Sequence, residues 1–255
     1  MNKMLNIYCK SNKTVQWMDS FNASTPVKNQ AFVFFADQKD FKKLNESLFV
    51  LSENELSRYH GLIRLNDKNN FLLSRIILKG VISKILNANI KDIVLSRQEN
   101  EKPYLIHPAS ELHFSLSHCR GYVLVCISFN TLVGVDIEYI RPSAKTGWVA
   151  SSYFSQLEQK NIREAKDPYT LFFDYWTRKE AAVKLIGLGL LEQIRSFEVC
   201  HEVNKNEVRL DIPLQHMFLE SFSIHPYAAC LALADQMDRI EYIRVNEQLV
   251  DSWLA

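Results

Sequence analysis

The chain has 255 residues, of which 47% are hydrophobic, so it can bury a substantial core as one large domain or two small ones. Its net charge of +1 argues against wholesale nucleic-acid binding, and any basic site must be local. No apolar run is long enough to span a bilayer, and Met1–Leu5 lacks the continuous hydrophobic segment of a secretory signal.

Cys9, Cys119, Cys126, Cys200 and Cys230 are odd in number and widely spaced, with no C-x-x-C pair and no zinc-ligand spacing. Reduced thiols in a cytoplasmic protein are the expectation, with neither a membrane nor a nucleic acid as partner. Glycine and proline number seven each, too few for a flexible linker.

In chain order, Ala31–Ala36 reads as a buried strand. Ser52 with Glu55 makes a capping box that opens a helix carrying Arg58, with Arg64 and Lys68 after a break near Gly61. From Asn69 to Leu86 the apolar spacing is helical, and Arg75 and Lys79, four apart, can point the same way. Ile93–Leu95 is a short strand, Glu101–Leu105 a turn into extended chain, and Leu112–His118 an alternating strand. Tyr122–Phe129 is a further strand, followed by one over Thr131–Glu138.

In that last strand Val133, Val135 and Ile137 face one way and Asp136 and Glu138 the other, because side chains alternate. Two carboxylates on one face repel. They suit either a solvated strand edge or a divalent cation held by oxygen ligands.

Arg141 to Ala150 reads as a loop, and Ser155 with Glu158 makes a second capping box. Asp167–Leu190 is the chain's most strongly patterned helix. Asp167 suits the N-cap and Pro168 the first turn, and Gly187 and Gly189 suit the stop. Leu171, Phe172, Tyr175, Ala182 and Leu185 line one face. Glu180 and Lys184 share another, with Trp176 one turn before them. Alone, Glu180 and Lys184 would be a surface ion pair. Phe197–Cys200, Glu207–Leu210 and Tyr227–Leu233 read as strands, and the tail from Arg239 as peripheral.

The order strand, capped helix, longer cationic helix, strands occurs twice. It predicts an α+β fold of two similar lobes related by a pseudo-two-fold, residues 1–122 and 123–255, with a site in the cleft between them. A chain carrying both lobes is expected to be a monomer.

Three motifs stand in fixed order: Phe114-Ser115-Leu116-Ser117-His118, Gly134-Val135-Asp136-Ile137-Glu138 and Trp176-xx-Lys179-Glu180-Ala181-xx-Lys184. With Lys102-Pro103 upstream, the set resembles the 4′-phosphopantetheinyl transferases, in their larger, two-lobed, surfactin-synthetase-activating type. The resemblance covers roughly Ser52 to Leu233. It implies transfer of the phosphopantetheine arm of coenzyme A to a serine of an apo acyl or peptidyl carrier protein, releasing adenosine 3′,5′-bisphosphate. The synthases so served make polyketides, nonribosomal peptides or fatty acids.

By the same resemblance Asp136, Glu138 and Glu180 hold magnesium. Glu180 is the candidate general base, with a metal-bound water as the alternative, and Lys184 is placed to stabilise the departing phosphate. Arg64, Lys79, Lys102, Pro103, Ser117 and His118 are implied for coenzyme A, together with Asp136, Glu180 and Lys184; Arg75 matches less well. Lys179 suits a solvated or core-rim position equally, and Trp176 suits packing. Lys160 and Arg163 are candidates for contact with an acidic carrier.

Two positions depart from the family pattern. Glu101 replaces a glycine before Lys102-Pro103, and Cys119 replaces a serine after His118. The competing expectations are a relative that binds coenzyme A or a carrier without reacting, and a different magnesium-dependent phosphotransferase. The absence of a G-x-x-x-x-G-K-[ST] loop counts against the latter.

Overall fold

Residues 3–12, 14–21, 29–97, 103–143, 145–187, 197–208 and 214–254 are described in the computed structural model. Glu101, Lys102, Leu188, Gly189, Leu190, Arg209 and Leu210, named above, lie outside them. By backbone contacts the chain divides after Asn130 rather than near residue 122, and neither unit is continuous. One comprises Met1–Val15 and Thr131–Gln236, the other Gln16–Asn130 and Met237–Ala255. The fold is α+β, each unit being built on a five-stranded sheet.

The chain opens with β1 (Lys3–Asn12), which belongs to the sheet of the first unit. The second unit follows with β2 (Trp17–Met18), β3 (Gln30–Asp37), α1 (Glu53–Gly61), α2 (Leu65–Leu86), the hairpin of β4 (Val94–Arg97) and β5 (Pro103–His107), β6 (Leu112–Cys119) and β7 (Tyr122–Phe129). β3 runs antiparallel to β7, with Phe34 opposite Val125, and β7 antiparallel to β6, with Ser117 opposite Leu124.

α2 is apolar nearly all round, and such a helix must be buried on most faces. Leu72, Leu73, Ile76, Ile77 and Ile82 are fully buried on it. Its two cations are buried as well. Lys79, 2% exposed, donates to the carbonyl of Val50 at 2.8 Å and to Glu55 Oε2 at 2.6 Å, while Arg75 Nε lies 2.8 Å from Glu55 Oε1. Burial pushes the Glu55 carboxyl up, but the Lys79 hydrogen bond and charge, the Ser52 amide and Arg75 outweigh it and hold the carboxyl below 4.5.

The first unit continues with β8 (Val133–Tyr139), α3 (Lys145–Tyr153), α4 (Gln156–Glu164), α5 (Pro168–Ile186), β9 (Val203–Val208), β10 (His216–Ile224) and β11 (Tyr227–Leu233). Its strand order is β8-β11-β10-β1-β9, so β1 lies inside the sheet, parallel to β10 and antiparallel to β9. From Lys145 the expected loop is instead helical, as α3, and Phe197–Val199 is not a strand.

β12 (Arg239–Arg244) and α6 (Glu247–Leu254) return to the second unit. The tail is therefore not peripheral. β12 pairs in parallel with β3, and Trp253 of α6 is buried against Gly80 of α2, where a Cβ would come within 2.8 Å of the indole.

The expected repeat is present in the topology: β3-α1-α2-β6-β7 and β8-α4-α5-β10-β11 follow the same path within their own sheets. It extends to a shared clamp. In each unit the capping-box glutamate (Glu55, Glu158) pairs with a buried lysine of the long helix (Lys79, Lys179). That lysine also takes the carbonyl two residues before the N-cap, Val50 in one and Tyr153 in the other.

Lys179 and Glu158 are both fully buried and 2.9 Å apart. Lys179 also donates to Phe197 O at 2.8 Å, and Glu158 accepts from the amides of Ser155 and Val199. The solvated position that suited Lys179 from sequence is thus excluded. Removing one partner leaves the other charge buried and unpaired, so Lys179→Ala is expected to destabilise the protein by about 3–5 kcal/mol. Urea unfolding measures this, and a loss below about 1 kcal/mol would show that the clamp contributes little.

Candidate functional site

β8 presents Gly134, Asp136 and Glu138 to the face that α5 covers. The covering is close because position 134 has no side chain. A Cβ there would overlap the carbonyl oxygen of Ala181 and lie 2.6 Å from the amide nitrogen of Leu185. The glycine of the acidic motif thus has a packing reason of its own: it lets the helix backbone settle onto the strand.

That approach places α5's polar residues beside the strand carboxylates. Lys184 Nζ lies 2.7 Å from Asp136 Oδ1 and donates to Val135 O at 3.1 Å. Lys184 therefore pairs with the strand, in addition to sharing a helical face with Glu180. Asp136 is 4% exposed; Glu138 and Glu180 are partly buried. The Glu180 carboxyl is pushed up to about 7, first by burial, then by the negative charge of Asp136 and, more weakly, Glu138, against the opposing pull of Lys184.

Three carboxylates and one lysine thus form one electrostatic group carrying excess negative charge, which a divalent cation would neutralise. The donors are hard oxygens, the type magnesium prefers. Among the described residues, no three acid, imidazole or thiol groups are placed so that together they could hold a metal ion. Magnesium does not need three, since it ordinarily takes one or two carboxylates and completes its shell with water and substrate oxygens. The donor set fits.

The remaining residues expected to meet coenzyme A belong to the second unit. Ser117 is buried near the end of β6, and His118 follows it, exposed. Arg64 is exposed as the residue before α2, and Pro103 opens β5 half-buried. Lys102 lies outside the described residues. Lys79 does not stand with these groups: its ammonium is enclosed and committed to Glu55 and Val50, as a structural cation.

Arg58 carries more weight than the sequence suggested. Its guanidinium and that of Arg75 lie 5.7 Å and 4.7 Å from the centre of the Phe71 ring. All three residues line a cavity of about 300 Å³ with Ser52, Ser96 and Pro103. The available signal was the Glu55-xx-Arg58 spacing, which puts Arg58 on the clamp glutamate's face of α1.

Trp176 packs, as expected, stacked on Phe172 and edge-on to Phe154 and Tyr153. Lys160 and Arg163 are exposed on α4. None of the five cysteines is in a disulfide, and no described helix is long and apolar enough to cross a membrane.

Comparison with known proteins gives matches over both halves of the sequence. Residues 132–232 match the family described as the 4′-phosphopantetheinyl transferase superfamily, and residues 30–130 the one described as 4′-phosphopantetheinyl transferase, N-terminal. Among curated proteins, the chain is 29% identical to the 4′-phosphopantetheinyl transferase Sfp of Bacillus subtilis over 191 residues, 72% of this chain and 83% of that one. It is 26% identical to the 4′-phosphopantetheinyl transferase psf-1 of Bacillus pumilus, over 84% of this chain and 93% of the relative. It is 29% identical to the 4′-phosphopantetheinyl transferase HetI of a Nostoc species, over 60% and 67%.

Proposed function

Because the chain belongs to the 4′-phosphopantetheinyl transferase superfamily, in its larger Sfp-like type, we propose that it moves the 4′-phosphopantetheine arm of coenzyme A onto a serine hydroxyl of an apo acyl or peptidyl carrier protein, with magnesium, releasing adenosine 3′,5′-bisphosphate. The observation that supports this reading is the ion pair of Lys184 with Asp136, beside a Glu180 that feels the charges of Asp136, Lys184 and Glu138.

In this reading Asp136, Glu138 and Glu180 hold the magnesium, which supplies positive charge to the pyrophosphate being split. Glu180 is available to take the proton of the incoming serine. Lys184 turns from Asp136 towards the phosphate that departs. Arg64, Lys102 and His118, with Ser117 and Pro103, receive the nucleotide end, and Arg58 joins them. Exposed Lys160 and Arg163, on the same helix as the exposed Leu157, meet the carrier. We place the protein in the cytoplasm as a monomer.

The test is the intact mass of an apo carrier after incubation with the protein, coenzyme A and magnesium, with and without a chelator. The expected result is a gain of one phosphopantetheine arm that the chelator prevents. Coenzyme A bound without any gain on several unrelated carriers would mark a binding relative instead.

A further inference from the structure

Lys79, Lys179 and Lys184 of the two long helices pair with carboxylates at nearly the same distance: 2.6 Å to Glu55, 2.9 Å to Glu158 and 2.7 Å to Asp136. Their surroundings differ. Lys79 and Lys179 are sealed, at 2% and 0% exposure. Lys184 keeps 30% of its side chain in solvent, while its partner Asp136 keeps 6%. The third pair also stands outside the framework that the units share. The corresponding residue of α2, five past the clamp lysine, is Lys84, which is exposed.

A half-open lysine on an enclosed carboxylate is displaceable. Water can take over the ammonium as it leaves, and the carbonyl of Val135, 3.1 Å away, can keep it beside the strand. Asp136 has less latitude. Its Oδ2 is shielded from solvent, and its Oδ1 is the oxygen that Lys184 holds. A divalent cation reaching for this carboxylate therefore meets the ammonium first, and two cations at contact distance on one oxygen repel each other strongly.

We propose that Lys184 and the divalent cation compete for Asp136, and that a donor carrying a pyrophosphate draws the ammonium away, so that metal and donor bind cooperatively. The inference rests on the transferase reading and deepens it by naming how the site is regulated. Without donor, the cation sees only the fraction of molecules whose ammonium has left Asp136, and its apparent affinity is reduced by that fraction. The coupling is reciprocal: the factor that the donor adds to metal affinity, the metal adds to donor affinity.

Manganese(II) binding, followed by the electron paramagnetic resonance of the free ion, measures this without turnover, since no carrier is present. Without coenzyme A, Lys184→Met is expected to bind manganese about tenfold more tightly than the native protein. That gain is expected to persist from about 0.05 to about 0.5 M salt, because competition at contact distance is screened far less than long-range repulsion. Coenzyme A is expected to raise manganese affinity in both proteins, by a severalfold smaller factor in the variant.

A second readout needs no variant. Acetylation of Lys184 in the native protein, read by peptide mass, is expected to rise severalfold when magnesium is added and to fall again with coenzyme A. If Lys184→Met does not fold, this readout decides. Equal manganese affinity in the native protein and the folded variant, or acetylation of Lys184 that magnesium leaves unchanged, overturns the competition. A gain that vanishes at the higher salt overturns it in favour of long-range repulsion. Manganese bound by neither protein, with or without coenzyme A, overturns the metal assignment of the transferase reading, and this inference with it.

Discussion

Replacing Glu180 with glutamine is expected to abolish transfer, by about a thousandfold or more, and at the same time to stabilise the protein in the absence of divalent metal at pH 8. Both effects come from one carboxyl. Its value of about 7 stands above the ordinary 4.5, because burial, Asp136 and Glu138 disfavour the charged form more than Lys184 favours it. The folded state therefore holds a proton that the unfolded state has released between about pH 4.5 and 7, and stability falls across that window as pH rises.

Above the window the full penalty applies. Two to three pKa units correspond to about 4 kcal/mol as an upper figure, and partial exposure of the group reduces it to roughly 1–2 kcal/mol. Glutamine carries no such penalty. Denaturant unfolding in chelator at pH 5 and pH 8 reads the difference: the native protein loses stability on going to pH 8 and the variant does not. Magnesium is expected to restore the native protein at pH 8 and to have less effect on the variant. A variant with native transfer rates would remove Glu180 from the chemistry, and one with the native pH dependence would remove it as the source of the stability loss.

Gly134→Ala is expected to be among the most damaging single-methyl changes in the chain. The added carbon meets backbone atoms of Ala181 and Leu185 on α5, not the flexible end of a side chain, so relief requires the helix to lift or shift. Overpacking in a well-filled core ordinarily costs 1–3 kcal/mol; with backbone on the receiving side we expect on the order of 4 kcal/mol. Any folded remainder is expected to lose transfer as well, because Lys184 and Glu180 ride on the displaced helix. Thermal unfolding together with carrier loading checks this. A variant with native stability would mean that α5 tolerates a looser seat than the close approach indicates.

Much of this architecture is legible in the residues. The two capping boxes, the long helices behind them and the alternation at Asp136 and Glu138 all depend on local spacing, and local spacing is what a sequence displays. The buried lysines are a different matter. Arg75 and Lys79, four apart on a helix, suggest two cations aimed at a ligand, yet both are absorbed by Glu55, twenty or more residues earlier. Lys179 is hidden in the same way by Glu158.

A charge's burial depends on a partner brought in by the fold, and helical periodicity carries no trace of it. β1 was equally hidden: a strand at residues 3–12 gives no sign that its neighbours lie beyond residue 200. α3 has a glycine at its third position and a weakly amphipathic face, so the loop reading followed from pattern alone.

The exchange of end segments between the two units bears on how the chain is made. During synthesis β1 leaves the ribosome well before its sheet partners, β9 and β10, which emerge about two hundred residues later. The second unit waits too, since β12 and the Trp253 that rests on Gly80 follow the last strand of the first unit. Neither unit can complete its sheet until the segment lying on the far side of the other unit in the sequence has been made. Until then each displays an unpaired strand edge, the feature that templates aggregation. Heterologous production at low temperature, with slowed initiation, is therefore the regime in which this chain should be recovered soluble.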